Sequence, residues 1–446
     1  MAEEGGETMV KIAFIGAGST IFARNVLGDC MCTPSLRDAQ ISLYDIDGIR
    51  LKESQVILEG INRNVNDSRA QIRTYLGEEN RREAFEGADF VVCAVRVGMQ
   101  EHGLIDFEVP KRYGYRQTIA DTLGIGGLMR GLRTVPVMEE FARDMEEACP
   151  DALLLNYVNP MAIVTGYLQR YTKIKTVGLC HSVQVCSEKL LTSLGMEGKL
   201  EGRRETIFGI NHMAWLLDIR DSDGQDLYPE IKERAKRKNL EKHEDMVRFD
   251  YIDKLGYYCT ESSEHNAEYN PFYIKNRYPE LIEKFQIPLD ASPERCRKII
   301  EGWEEEKEKI LDGGQITHER SKEYASRIME AVTTGKPVKI AGNVINNGLI
   351  DNLVSDACVE VPCLVDGEGV HPCRMGRLPV HLAGMNMTNI NMQLMAIEAA
   401  RSRKKEDIYR AAMLDPHTAA ELSIDDIRRL CDELIEAHGE LMAMYS

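Results

Sequence analysis

A glycine pair opens the chemistry of this chain. Gly16-Ala17-Gly18-Ser19-Thr20 follows the apolar run MVKIAFI at 9–15 and precedes an apolar-periodic stretch that reaches Cys32. The order is strand, tight turn, helix, which leaves backbone N–H groups at a helix N-terminus free to receive a pyrophosphate. The next strand-like run, ISLY at 41–44, stops at Asp45. A carboxylate there accepts hydrogen bonds from a ribose diol, and an acid rather than a base favours NAD over NADP. The full three-glycine pattern is broken, because Ile21 stands at its third position. Cys180 and His212 lie 32 residues apart, a spacing that by itself reads as a buried thiol and a core histidine. Cys30 with Cys32, and Cys358 with Cys363 and Cys373, match no zinc pattern.

The elements that must position these residues fall into two halves. Apolar strand-like runs at 9–15, 41–44, 88–95, 151–156 and 175–179 alternate with helical patterns, notably 49–63 and 131–148. Alternation of this kind implies right-handed crossovers and a parallel sheet. The fold class expected is therefore α/β: a Rossmann-type doubly wound sheet over residues 1–198. A mixed, mostly helical α+β domain is expected over 199–446, carrying substrate, metal and oligomer contacts. In that half, 226–256 and 278–333 are charged and helical, with turns at Asn270-Pro271 and Asp312-Gly313-Gly314. Strand-like runs follow at 337–364, and helix returns from Leu378, with a cap at Ser423. No Pro/Ser-rich linker separates the halves, so a cleft between them is the place for chemistry.

Composition narrows the partners. The chain has 446 residues, 43% hydrophobic and 28% charged, with a formal net charge of −17. An acidic chain repels phosphate backbones and anionic lipid, so nucleic acid and membrane surfaces are not expected partners. No apolar run reaches the roughly 20 residues that span a bilayer, and MAEEGGETMV has no secretory pattern. The twelve cysteines show no framework spacing and read as thiols in a reducing cytoplasm.

Several motifs occur together and in order: KIAFIGAGST, YDID, QTIADTLGIGG, NYVNPM, GLCHSVQ, GINHMAW, TESSEHNAEY, NGLIDNL and LDPHTAA. This set resembles the family 4 glycoside hydrolases over essentially the whole length, and within that family the α-galactosidase subgroup. The resemblance implies an NAD- and manganese-dependent glycosidase, a departure from the usual pair of carboxylates. In that scheme the sugar is oxidised transiently at C3, a base removes the C2 proton, the aglycone leaves C1, water adds, and the hydride returns. An α-glucuronidase, an α-galacturonidase or a 6-phosphoglycosidase would use the same chemistry. A plain NAD-dependent 2-hydroxy acid dehydrogenase is the alternative of another class. The expected partner is a small glycoside, and a cytoplasmic homo-oligomer, dimer or tetramer, is the expected assembly.

The resemblance also implies roles residue by residue. Cys180 and His212 take the metal. Gly16, Gly18, Ser19, Thr20 and Asp45 seat the dinucleotide, with Asn156 on the nicotinamide side or capping its strand. Asn159 and Asp121 hold sugar hydroxyls, and Asp121 argues against a phosphosugar. Arg96 pulls the other way, toward a phosphate or carboxylate. His181 stands where an acid for the leaving oxygen is expected. The C2 base falls in Thr260–Tyr269, with Tyr269, Glu264 and His265 as the choices.

Overall fold

The computed structural model describes residues 9–311 and 316–446. The turn expected at Asp312-Gly313-Gly314 lies outside the described residues. Six strands of the first half are β1 (Lys11–Ile15), β2 (Gln40–Asp45), β3 (Gln71–Leu76), β4 (Phe90–Cys93), β5 (Leu153–Asn156) and β6 (Lys175–Gly178). All pair in parallel, in the order β3-β2-β1-β4-β5-β6. This is the dinucleotide-binding order, whose ligand crevice opens where β1 and β4 part. The central strands are apolar and buried because helices cover both faces. β3 was not anticipated. Its sequence QIRTYL lies at the sheet edge and is mostly exposed, so no apolar run marks it.

The second half adds β7 (Arg204–Ile210), β8 (Met213–Arg220), β9 (Tyr258–Cys259), β10 (Val338–Ile345), β11 (Cys358–Asp366) and β12 (Gly369–Pro372). These do not form a separate layer. β10 pairs antiparallel to β6 through Asn343 and Gly178, and β11 joins β7 through Glu360 and Gly209. One mixed twelve-stranded sheet therefore runs through the described residues. The β7–β8 hairpin was also not anticipated, although the last four residues of β7 and the first four of β8 are buried. Helices fill much of the rest, including Val380–Ser402 and Ile424–His438. Ser423 caps the latter, its side chain accepting from the Asp426 N–H.

Parallel register brings the strand ends to one edge. Ile15 pairs with Cys93, Cys93 with Asn156, and Asn156 with Gly178. Gly16, Ala94, Tyr157 and Leu179 therefore leave the sheet side by side, with Cys180 one residue further on.

Candidate active site

The glycine turn is fixed by its own chain. Gly16 has φ +82°, and a Cβ there would stand 3.1 Å from the Ala94 carbonyl. Only glycine meets both conditions at the β1/β4 parting. The Gly16 and Ala17 N–H groups donate to the Tyr44 carbonyl at 3.0 and 3.1 Å. Asp45 accepts the Gly18 N–H at 2.6 Å and the Asp47 N–H at 2.9 Å, so one carboxylate fastens both turns. The helix Thr20–Met31 starts next, with no acidic residue in its first turn and no side-chain cap from Ser19. Its N-terminus stays open to an anion. Thr20 lies inward, its hydroxyl 3.4 Å from the Gly18 carbonyl. Asn156 is buried, accepting from the Val158 N–H at 3.1 Å and donating to Thr165 Oγ1 at 3.0 Å. Its amide thus closes the strand end.

The second constellation is assembled from distant segments. Cys180 leaves β6 with its backbone gripped by Tyr324, whose hydroxyl accepts the Cys180 N–H at 3.1 Å. His212 stands in the two-residue loop of the β7–β8 hairpin at φ +63°, and Glu261 follows β9 at φ +69°. Such backbone is uncommon outside glycine and is held only where the surroundings over-determine it. One ligand atom from each of Cys180, His212 and Glu261 lies within 4.8 Å of the others. His212 Nε2 is 3.4 Å from the Glu261 carboxylate, and its Nδ1 is 2.8 Å from the Tyr269 hydroxyl. His265 Nδ1 is 3.7 Å from the same carboxylate, and its Nε2 is 3.8 Å from Asp121. Burial pushes the Glu261 carboxyl up, but His212 and His265 outweigh it and hold it at about 2. Burial, with Glu360 and Glu261 nearby, pushes the Cys180 thiol up. Burial pushes Glu360 to about 7, against its bond from Asn343 at 3.0 Å.

A narrow pocket opens beside this cluster, lined by Arg96, Asp106, Asp121, Arg130 and Cys296 among others. Arg130 pairs with Asp121 at 3.0 Å and Arg133 with Asp106 at 2.7 Å. Burial pushes the Asp121 carboxyl up, yet His265 and Arg130 hold it well below the usual carboxylate range. Arg96 is exposed and donates to Cys296 Sγ at 3.2 Å. Glu268 fixes the loop that carries Asp121, its carboxylate accepting the N–H groups of Thr118, Ile119 and Ala120 at 2.8, 3.2 and 3.1 Å.

The fold thus gathers Asp121, Cys180, His212, His265 and Tyr269. Glu264 is turned away into an ion pair with Arg295 at 2.6 Å. His181 is 59% exposed beside Cys180, its Nδ1 3.9 Å from Glu323. Asn159 has a buried Oδ1 with no hydrogen-bond partner. Glu261, Glu268 and Arg130 were missed by sequence reasoning. A signal existed for the first. Ser262 caps the short helix Ser263–Glu268, accepting from the His265 N–H. Recognising that cap sets the phase. His265 and Tyr269, four apart, then share one face, Glu264 faces elsewhere, and Glu261 stands just before the helix.

A glycine turn at the parting of a 3-2-1-4-5-6 sheet defines the dinucleotide-binding α/β class. Within it, the chain belongs to the family 4 glycosyl hydrolases. The Family 4 glycosyl hydrolase profile matches residues 11–196, and that of the Family 4 glycosyl hydrolase C-terminal domain matches 207–418. The chain is 58% identical to an α-galactosidase of Bacillus subtilis (strain 168), covering 98% of this chain and 100% of that one. It is 32% identical to an α-galactosidase of Rhizobium meliloti (strain 1021), covering 98% and 90%. A 6-phospho-α-glucosidase from gut microorganisms, solved in complex with NAD and Mn2+, shares the fold with a TM-score of 0.81. That likeness is at 21% identity and covers 97% of this chain and 99% of that one. No helix among the described residues is long and apolar enough to cross a membrane.

Proposed function

We propose that the chain is an NAD- and Mn2+-dependent α-galactosidase that works by transient oxidation at C3 and proton loss at C2. The observation that carries this reading is the meeting of Cys180, His212 and Glu261 on the sheet edge that also bears the glycine turn. Thiol, imidazole and carboxylate together fit a divalent first-row ion. When bound, the dinucleotide supplies reversible hydride transfer and the cation supplies Lewis acidity.

The chain's own residues do the rest. Cys180, as thiolate, His212 and Glu261 would hold the cation. Gly16, Gly18, Ser19 and Thr20 seat the pyrophosphate, while Asp45 takes the ribose diol and Asn156 braces the strand end. Asn159, with its unpartnered Oδ1, and Asp121 accept sugar hydroxyl protons. His265 removes the C2 proton, since it lies between Asp121 and Glu261 and outside the ligand set. His181, exposed and next to Cys180 in the chain, protonates the leaving oxygen, with Glu323 3.9 Å from its Nδ1. A division at 198/199 puts the dinucleotide seat in one half and His212, Glu261 and His265 in the other. Twelve free cysteines and a thiolate ligand suit a reducing cytoplasm.

A neutral sugar fits the pocket because Arg130 and Arg133 are already matched by Asp121 and Asp106. Arg96 alone favours a second reading, a uronide. A panel of nitrophenyl glycosides, assayed with NAD, Mn2+ and thiol, tests both. The α-galactoside should lead, without net NADH. A tenfold lead for the α-galacturonide would transfer the assignment to the uronide.

A further inference from the structure

Glu261 reaches His212 from a backbone that does not favour it. Its φ of +69° lies in the left-handed region, which a glutamate occupies only where the surroundings enforce it. Anchors stand on both sides. Before it, Thr260 is stitched to β8, two residues beyond His212. The Thr260 N–H donates to the Ala214 carbonyl at 2.8 Å, and Thr260 Oγ1 accepts the Ala214 N–H at 3.1 Å. After it, the Ser263 hydroxyl accepts the Arg248 N–H at 3.0 Å and donates to Asp245 at 2.6 Å.

One side chain spans the interval between these anchors. Asn266 Nδ2 donates to the Thr260 carbonyl at 3.1 Å and to the Ser262 carbonyl at 3.1 Å. The carbonyls of the residues immediately before and after Glu261 are thus held by a single amide. Asn266 itself is fixed and fully buried. Its N–H donates to the Ser262 carbonyl at 3.1 Å, and its carbonyl accepts from the Tyr251 hydroxyl at 3.2 Å. Its Oδ1 has no hydrogen-bond partner among the described residues. Burying an unsatisfied amide oxygen is unfavourable, and a leucine of similar size would avoid it. A flipped amide would set oxygen against both carbonyls, so both amide hydrogens stay on them. Packing therefore does not account for an asparagine here, whereas the two bonds around Glu261 do.

We infer that Asn266 is a positioning residue: its amide clasps the two carbonyls that flank Glu261 and so aims that carboxylate at His212 and the cation seat. The inference rests on the metal reading given under the proposed function, with Glu261 as a ligand. It gives the cation seat a support that touches neither the cation nor the sugar.

Mn2+ affinity of the otherwise unliganded protein, measured by electron paramagnetic resonance of the free ion, tests it without recourse to turnover. N266A should weaken Mn2+ binding by about tenfold, the lower end of the effect of losing outer support for a metal ligand. In the E261Q background N266A should change the affinity less than about twofold, because the carboxylate that it aims is gone. A residue that served packing alone would lower the unfolding midpoint and leave the Mn2+ affinity of the folded protein unchanged. Wild-type Mn2+ affinity in N266A, or a tenfold loss that persists in the E261Q background, would overturn the inference. If N266A does not fold, N266L, of similar size to asparagine but without a donor, decides by the same two comparisons. C180S separates the two levels. Wild-type Mn2+ affinity in C180S removes the metal reading itself. Loss in C180S and E261Q with no change in N266A removes only the clasp.

Discussion

The glycine turn and the cation cluster share one sheet edge but hold their shape by different means. The turn is local: Gly16 to Thr20 and Asp45 close on each other through backbone bonds and one carboxylate. Its constraint is steric, set by how little room exists at Gly16 and Gly18. The cluster gathers the loop of Asp121, the end of β6, the β7–β8 hairpin and the segment after β9. Its loops stand at positive φ at Ala120, His212 and Glu261, at 55°, 63° and 69°. Its constraint is electrostatic, a balance of carboxylates, imidazoles and guanidinium with little solvent between them. A site of two such parts should fail separably, with the dinucleotide lost from one side and the cation from the other.

Cys180→Ser gives the sharpest separation. Turnover should fall by about 10³-fold or more, the scale of losing several kcal/mol of Lewis-acid stabilisation. NAD affinity, read by tryptophan fluorescence or calorimetry, should stay within error of wild type. A parallel loss of NAD affinity would mean that the two regions are one unit. Glu261→Gln comes next. It removes the hardest donor of the cluster, and Mn2+ affinity should fall by about 100-fold, again with NAD binding intact. Unchanged Mn2+ affinity would place Glu261 outside the ligand set.

The steric side predicts the reverse pattern. A Cβ on Gly18 would stand 2.8 Å from Asp45 Oδ2 and 2.9 Å from Arg50 Cβ. Gly18→Ala should therefore weaken NAD about tenfold, a typical overpacking cost, while Mn2+ titrates normally. The smallest effect is an acid one. Glu261 titrates at about 2 in the folded chain against an ordinary value of 4.5. A depressed carboxyl contributes stability above pH 4.5 that is lost as the pH falls toward 2. Metal-free wild type should lose on the order of 1 kcal/mol from this group by pH 4, and Glu261→Gln should not. Denaturant melts of both proteins at pH 7 and pH 4 measure the difference, and equal losses would contradict the placement of Glu261 beside two imidazoles.

The contrast also explains what the sequence disclosed. The strands around the turn are buried apolar runs, so MVKIAFI, ISLY and ADFVVCAV announce themselves, and Asp45 follows by position. β3 escaped because QIRTYL is an exposed edge with no run to see. Cys180 and His212 carry no spacing signal and emerged through the motifs around them. Glu261 sat inside the segment searched for a base yet passed unnoticed, because its role depends on a positive φ that places it across from His212. Glu264 and Tyr269 were distinguishable only by helical phase, which the Ser262 cap sets. Contacts between segments 50 to 150 residues apart, such as Glu268 with the N–H of Thr118, depend on the folded sheet and leave no local trace.

The central claim is that the C2–H bond of the sugar breaks and reforms in every turnover. A direct hydrolase leaves that bond intact, because its transition state develops charge at C1 between two carboxylates. Turnover of an α-galactoside in D2O, followed by proton NMR of the released sugar, reads the difference. The account predicts loss of the C2–H signal through deuterium incorporation, with no net NADH at 340 nm (the ordinary NADH absorbance). Released sugar with its C2–H signal intact would contradict it.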